Sequence, residues 1–354
     1  MTISLSLKSN AKALKSLVSV AKKKKVPEYL AYIRIIAKNG RITAQATDLE
    51  SSMEWRLIDS SSDANESVLI HYDAIAKLLT TSNDVIKIRV NEIDTGKALV
   101  LNQVLADDDV FPEIASTFDN LDELEEWTKE EIETFKNAVS NSSLACSNDE
   151  SRVRLTGINI RNDENNLIVE STDGHRLFQY ILPTNRKLNA LLPKSSLAIL
   201  LDIFSQKTSV KMGRINGSLT VVIDDLCNLS LRLINEDFPN VNQIIPKAGE
   251  YLIDFAPQKE ILKEAVSFCK DMATEGLVIG HNKEFNKFSF SLNTYVYDEI
   301  KDLKRDKVFS VSPKFLLDTL SVVSLCSVPS ADLNPLLFFS EDGSVKSVLM
   351  VRRL

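Results

Sequence analysis

The sequence predicts an α+β protein of three similar domains, each with two helices and antiparallel sheets. Three observations carry this expectation: one helical pattern occurs three times, a second helical pattern follows it in every unit, and alternating β-branched stretches lie between them. The first helices read NAKALKSLVSV from Asn10 to Val20, EIETFKNAVS from Glu131 to Ser140 and KEILKEAVSF from Lys259 to Phe268. Apolar residues at i, i+3 and i+4 give each one face to bury. The second helices are read from IHYDAIAKLL at Ile70, LPKSSLAILL at Leu192 and SPKFLLDTL at Ser312. Both sets recur at a period of roughly 120 residues, which chance likeness between short helices does not reproduce twice.

Between the helices, Arg41–Ala46, Asn166–Glu170 and Lys287–Leu292 alternate as half-buried strands, and Ala46-Thr47-Asp48 and Ser171-Thr172-Asp173 share an ending. A strand, a helix, several strands, a helix and several strands in each unit favour antiparallel domains over a doubly wound parallel sheet. The expected domains are residues 1–121, 122–247 and 248–354. Residues 107–133 hold twelve acids against Lys129 alone, as suits an exposed connection. Thr128 with Glu131 forms a capping box that opens the second unit's first helix. Pro246-Lys247-Ala248-Gly249 punctuates the next join, and Pro257 suits the first turn of the third unit's helix.

Composition excludes several function classes. With 42 basic and 49 acidic residues among 354, the charge of -7 argues against a protein that grips nucleic acid with its whole surface. Hydrophobic residues at 44% and charged residues at 26% fit a folded soluble protein. No apolar run approaches the roughly 20 residues of a membrane span, and a cytoplasmic location without membrane contact is expected. The cysteines, Cys146, Cys227, Cys269 and Cys326, are far apart and read as reduced, mostly buried thiols. Three histidines, ten glycines and no nucleotide-cradling glycine motif leave no metal site and no cofactor in the expectation.

The positive charge is segregated. Seven lysines and no acid lie between Met1 and Pro27, and Lys12, Lys15 and Lys22 fall on one helical face while Leu14, Leu17, Val18 and Ala21 occupy another. In the matching helices Lys129 and Lys136 share a face, as do Lys259, Lys263 and Lys270. Lysines commonly just solvate a helix, but repetition at equivalent places inside an acidic chain points to a surface that meets phosphate. No recognition helix rich in Arg, Asn and Gln accompanies it, so the expected contact is with backbone and independent of base sequence.

Thr172-Asp173-Gly174-His175-Arg176-Leu177, followed about sixty residues later by Phe238-Pro239-Asn240 and Pro246, resembles the bacterial replicative sliding clamps, the beta subunits of DNA polymerase III. The resemblance extends to Thr47-Asp48-Leu49-Glu50, Val110-Phe111-Pro112 and the ending Arg353-Leu354. It implies a DNA-clamp fold and a ring of two subunits assembled head to tail, with helices lining the hole. The implied function is that of a processivity factor that encircles duplex DNA and tethers the polymerase catalytic subunit, with a clamp loader as a further partner and no catalysis of its own.

The resemblance also implies site residues. A partner-peptide groove would be walled by Leu155, Thr172, Gly174, His175, Arg176, Leu177, Pro239, Ile244, Val348, Met350, Val351, Arg352 and Leu354, with the aliphatic members supplying pockets and His175 and Arg176 orienting polar groups at the rim. DNA contacts fall to Lys12, Lys15, Lys24, Lys25, Lys136, Arg152, Arg154 and Lys263. The homodimer interface falls to Lys97, Leu101, Gln103, Asp271, Met272, Asp298 and Glu299, with ion pairs such as Lys97 to Asp298 or Glu299. The chain departs from the family's pattern in its tail, Met350-Val351-Arg352-Arg353-Leu354, where a Met-Pro-Met-Arg-Leu-like ending is usual, and at Asn242 and Gln243, which are commonly basic. Two other readings compete: a clamp-like protein-binding scaffold that does not load on DNA, and an enzyme using Asp173, His175 and Arg176 as acid-base groups, for which the sequence offers no nucleophile or cofactor site.

Overall fold

A computed structural model describes residues 2–22, 27–63, 65–81, 83–101, 104–106, 111–114, 123–205, 209–249, 251–268, 276–292, 295–299, 303–329 and 334–353. The chain divides into two compact units, residues 1–136 with 195–233 and residues 137–194 with 234–354. Each holds one large and one small antiparallel sheet.

In the first unit the large sheet has nine strands, in the order Val104–Ala106, Glu66–His71, Tyr32–Lys38, Arg41–Thr47, Ser51–Leu57, Cys227–Arg232, Ser218–Ile223, Val210–Ile215 and Glu125–Trp127. The small sheet orders Ser61–Ser62, Ile3–Ser6, Val85–Arg89, Glu92–Asp94 and Leu99–Leu101. The seam between repeats is hydrogen-bonded: Ser51–Leu57 pairs antiparallel with Cys227–Arg232, Met53 opposite Leu229 and Trp55 opposite Cys227. Helices α1 (Ala11–Ala21), α2 (Tyr72–Leu78) and α4 (Leu197–Phe204) belong to this unit, and α3 (Lys129–Ser142) begins in it. Leu14, Leu17 and Val20 of α1 are fully buried, each contributing about 1.5–3 kcal/mol by the area it removes from water. Ser16 of α1 donates to Asp202 of α4 at 2.9 Å.

The second unit repeats the plan. Its large sheet orders Ala190–Pro193, Gly157–Asp163, Asn166–Thr172, Arg176–Pro183, Val345–Leu349, Leu336–Phe339, Leu325–Ser327 and Leu252–Asp254, and its small sheet Tyr295–Asp298, Lys287–Leu292, Leu277–Asn282 and Lys307–Val311. Here the seam joins Arg176–Pro183 to Val345–Leu349. Helices α5 (Lys259–Phe268) and α6 (Pro313–Leu320) lie over a core in which Phe255, Phe288, Phe290 and Phe338 are almost wholly buried. Both large sheets thus run through a repeat junction, and the compact units cut across the second repeat.

The helices and strands read from periodicity are present, with shifted starts for the second helices. Helix α2 begins at Tyr72 because Ile70 and His71 end a strand, and α4 begins at Leu197 because Leu192 and Pro193 end another. An apolar run pairs equally well in a sheet, and in each case a strand takes its first residues. Cys146, Cys227 and Cys326 are buried and free, and burial pushes the Cys146 thiol up to about 11; Cys269 and Lys270 lie outside the described residues.

The capping box is formed as expected: the Thr128 N–H donates to Glu131 Oε2 at 2.8 Å, and the Glu131 N–H to Thr128 Oγ1 at 3.2 Å. Thr128→Ala is expected to cost about 1 kcal/mol, read as a lower thermal midpoint with unchanged far-ultraviolet dichroism.

His281, 1% exposed, is a second testable point in the core. Its Nδ1 lies 3.0 Å from the Tyr251 hydroxyl and its Nε2 3.0 Å from Asn286 Oδ1, which fits a neutral ring with the proton on Nε2. Burial holds its pKa below the usual histidine value, with the Asn286 bond and Asp306 acting the other way. A depressed value means that the unfolded chain binds the proton more tightly. The stability is therefore present above the unfolded value of about 6.5 and lost as pH falls from there through the lower folded value. Thermal midpoints measured from pH 8 down to about pH 5 should fall more steeply in the wild type than in His281→Gln.

Candidate functional site

The motif around Asp173 folds into a tight turn between two strands of the second unit. Asp173 Oδ1 accepts the N–H groups of His175 at 2.9 Å and Arg176 at 3.1 Å, while Thr172 Oγ1 donates to the Arg176 carbonyl at 2.6 Å and accepts the Gly174 N–H at 3.0 Å. Gly174 closes the turn at a φ of 88°, where a side chain is strained. The first unit builds the same turn from Thr47-Asp48: Asp48 Oδ1 accepts from Glu50 at 3.0 Å and Ser51 at 2.6 Å, with Leu49 at a φ of 71° in the glycine's place. The sequence repeat is therefore also a repeat of hydrogen bonds.

Arg176 is 6% exposed. Its guanidinium meets Asp173 Oδ2 at 3.1 Å, Asp318 Oδ2 at 2.5 Å and the Leu144 carbonyl, and lies 4.2 Å from the centroid of the Phe315 ring. Arg176 thus binds the turn to α6 from beneath, where a polar role at the rim was expected. His175 is exposed and stacks on the same Phe315 ring at 6.4 Å.

The tail joins this turn directly. Arg176 stands opposite Leu349 and Leu177 opposite Val348, and the Met350 N–H donates to the His175 carbonyl at 3.0 Å. Leu177 and Val348, with Val241 and Leu337, form a small buried cluster against which Phe238, Ile245 and Phe339 pack. Pro239 is half-buried and Ile244 exposed on the short helix Val241–Ile244 that closes over this cluster. Met350 is exposed too, so Ile244 and Met350 offer apolar surface to solvent while Leu177 and Val348 form the floor. Val351 packs on the core beneath α6, and the exposed Arg352 is tied through its backbone N–H to the Ser310 carbonyl at 2.8 Å. Leu354 lies outside the described residues.

Leu155, half-buried, ends a short helix whose Arg152 reaches back to this turn. Arg152 bonds Asp149 Oδ2 at 3.1 Å, the Asp173 carbonyl at 3.1 Å and Ser147 Oγ at 3.3 Å. A side chain expected to meet phosphate thus also holds the Asp173 turn; Arg152 and Arg154 are both exposed. Sequence reasoning missed Phe315 and Asp318, which hold the turn's arginine from another repeat, and Phe238, Ile245 and Phe339.

The lysine face is strongest on α1. Lys12, Lys15 and Lys22 are exposed along one side of a helix that has no carboxylate. Lys136 and Lys263 differ: each pairs with a glutamate three residues earlier, Lys136 with Glu133 at 3.5 Å and Lys263 with Glu260 at 2.6 Å. Lys24 and Lys25 lie outside the described residues.

At the expected subunit interface, Leu99–Leu101 is an edge strand of the five-stranded sheet and Tyr295–Asp298 an edge strand of the four-stranded one. Lys97 is exposed before the first of these edges. Asp298 is held at 2.9 Å by Arg305 of its own chain, and Glu299 Oε2 accepts the Phe288 N–H at 3.2 Å, so an intermolecular pair with Lys97 has intramolecular competitors. Gln103, Asp271 and Met272 lie outside the described residues.

Comparison with known proteins agrees with this construction. Residues 131–240 match the family model of the DNA polymerase III beta subunit, central domain. The beta sliding clamp of Lactococcus lactis is 24% identical over 221 residues, 58% of this chain and 58% of that protein. That of Helicobacter pylori is 28% identical over 199 residues, 50% of this chain and 52% of that one. By sequence the chain therefore spans little more than half the length of these relatives. The crystal structure of the DNA polymerase sliding clamp from Bacillus subtilis superposes with a TM-score of 0.84 at 18% identity, covering 100% of this chain and 99% of that one, which gives the two the same fold. The central domain matches the family model of the DNA polymerase III beta subunit, the sequence relatives are bacterial beta sliding clamps, and the chain shares the fold of a solved sliding clamp over its whole length.

Proposed function

We propose that this protein is a DNA polymerase processivity factor, a ring-shaped clamp that encircles duplex DNA and tethers the polymerase catalytic subunit by a peptide laid in the groove beside the Asp173 turn. The observation that carries this reading is the α1 face, where Lys12, Lys15 and Lys22 stand exposed without an acid on their helix, in a chain whose net charge is -7. A weakly basic surface in an acidic body holds phosphate loosely enough to move along it.

In this reading residues 1–121, 122–247 and 248–354 act as three domains of each protomer. The ring is a homodimer closed head to tail through Leu99–Leu101 and Tyr295–Asp298, each the edge strand of its sheet. Val296, 69% exposed, stands on the second edge. A clamp loader opens this ring, and the protein works in the cytoplasm; no helix among the described residues is long and apolar enough to cross a membrane. The groove gives an extended peptide aliphatic contact at Ile244 and Met350 above the Leu177–Val348 floor. The chain itself does no chemistry. Asp173 is committed to two backbone N–H groups and to Arg176, which leaves it no place as a general base.

Retention on nicked circular DNA, compared with the same DNA linearised, tests the proposal, with a cognate loader and ATP present. The circle should hold the protein while the linear form sheds it. Equal loss from both would leave the protein-binding scaffold as the better reading.

A further inference from the structure

We propose that the face of the nine-stranded sheet bearing Arg34 and Arg41 is a second docking site, for an acidic peptide segment of a partner protein. It is distinct from the groove beside Asp173, which belongs to the other unit. A cavity of about 880 Å³ opens on this face, lined among others by Arg34, Lys38, Arg41, Gln45 and Arg56. Alternation along three neighbouring strands brings these side chains to one side: Arg34 and Lys38 from the first, Arg41 and Gln45 from the second, Arg56 from the third.

Two features mark the cavity as built for a ligand. Lys38 and Arg41 are directly opposed in register across the Asn39-Gly40 turn, and both are exposed. Like charges placed opposite each other oppose pairing unless an anion lies between them. In addition, Gln45 is 5% exposed, lines the cavity, and its Oε1 has no hydrogen-bond partner among the described residues. A buried acceptor left unsatisfied is destabilising, so the site asks for a donor as well as for negative charge.

That combination selects the ligand class. A nucleic-acid backbone brings anions but no N–H donors, and among the described residues no aromatic side chain lines the cavity for bases to stack on. An extended peptide brings both, with carboxylates on alternate residues for the cations and backbone N–H groups for Gln45. Glu54 and Glu113 also line the wall, so a dense polyphosphate is disfavoured relative to spaced carboxylates.

The probe is a labelled, acetylated peptide of alternating glutamate and valine, titrated against the full chain by fluorescence anisotropy at low and at physiological salt. Saturable binding that weakens with salt is expected, falling at least about tenfold in the Lys38→Glu, Arg41→Glu double variant. Both positions are exposed, so the variant's thermal midpoint should equal the wild type's. Gln45→Leu, which keeps every charge, should weaken the peptide while leaving the salt dependence unchanged. Peptide binding that the double variant does not alter would overturn the proposal. So would a single-stranded oligonucleotide that displaces the peptide and shows the same dependence on Lys38 and Arg41.

Discussion

Arg176→Ala is expected to destabilise the unit of residues 137–194 and 234–354 by about 3 kcal/mol and to abolish peptide capture in the groove. The guanidinium is buried, and it joins two carboxylates, a carbonyl and an aromatic ring that come from three parts of the chain. Removing it leaves Asp173 and Asp318 without their shared cation and Phe315 without the cation over its ring. Asp318 is 26% exposed at its side chain and recovers some solvation, which keeps the expected loss at the low end for a broken buried pair. Urea unfolding gives the stability, and anisotropy with a polymerase-tail peptide gives the binding. Arg176→Lys retains the charge but not the planar fork, and should restore only part of either. A loss under about 1 kcal/mol would show that the turn holds through Asp173 and its backbone bonds alone.

Charge reversal on α1 has the second large effect. Lys12→Glu with Lys15→Glu should reduce retention on circular DNA at least tenfold and flatten the salt dependence, because each lost phosphate contact removes about 0.9 from the slope of log affinity against log salt. Stability should be unchanged, since both side chains are exposed. Peptide binding in the groove should also be intact, which separates a DNA-handling defect from misfolding. Retention equal to the wild type would move the DNA contact away from this helix.

Much of the fold was legible because it is periodic. Three copies of a helix with a repeating apolar face, and strands with alternating burial, report their structure locally. The second helices were read early at Ile70 and Leu192 because an apolar run alone does not say where the strand stops. Legibility of the site followed the same line. The Asp173 turn is made of bonds between residues two to four apart and was readable. The partners of Arg176 were not: Asp318 lies 142 residues away, and nothing near either residue announces the other. The pairing of Lys136 and Lys263 was visible in principle, since a glutamate stands three places before each lysine and none stands on α1. Counting lysines without their helical neighbours overstated two of the three faces.

The bond from Met350 to the His175 carbonyl has a thermodynamic consequence. The strand Val345–Leu349 is a rung of the large sheet and lies beside the proposed groove, so peptide binding there and the folding of the tail would be linked equilibria. A ligand that binds only the ordered tail raises the apparent stability by mass action, about 2.7 kcal/mol at a hundredfold excess over its dissociation constant. By the same reciprocity, any change that frays the tail weakens every partner using the groove by one common factor, whatever that partner's own sequence. In the proposed groove, differences between partner peptides would then arise only at the surfaces each of them touches, with the tail setting a common scale for all.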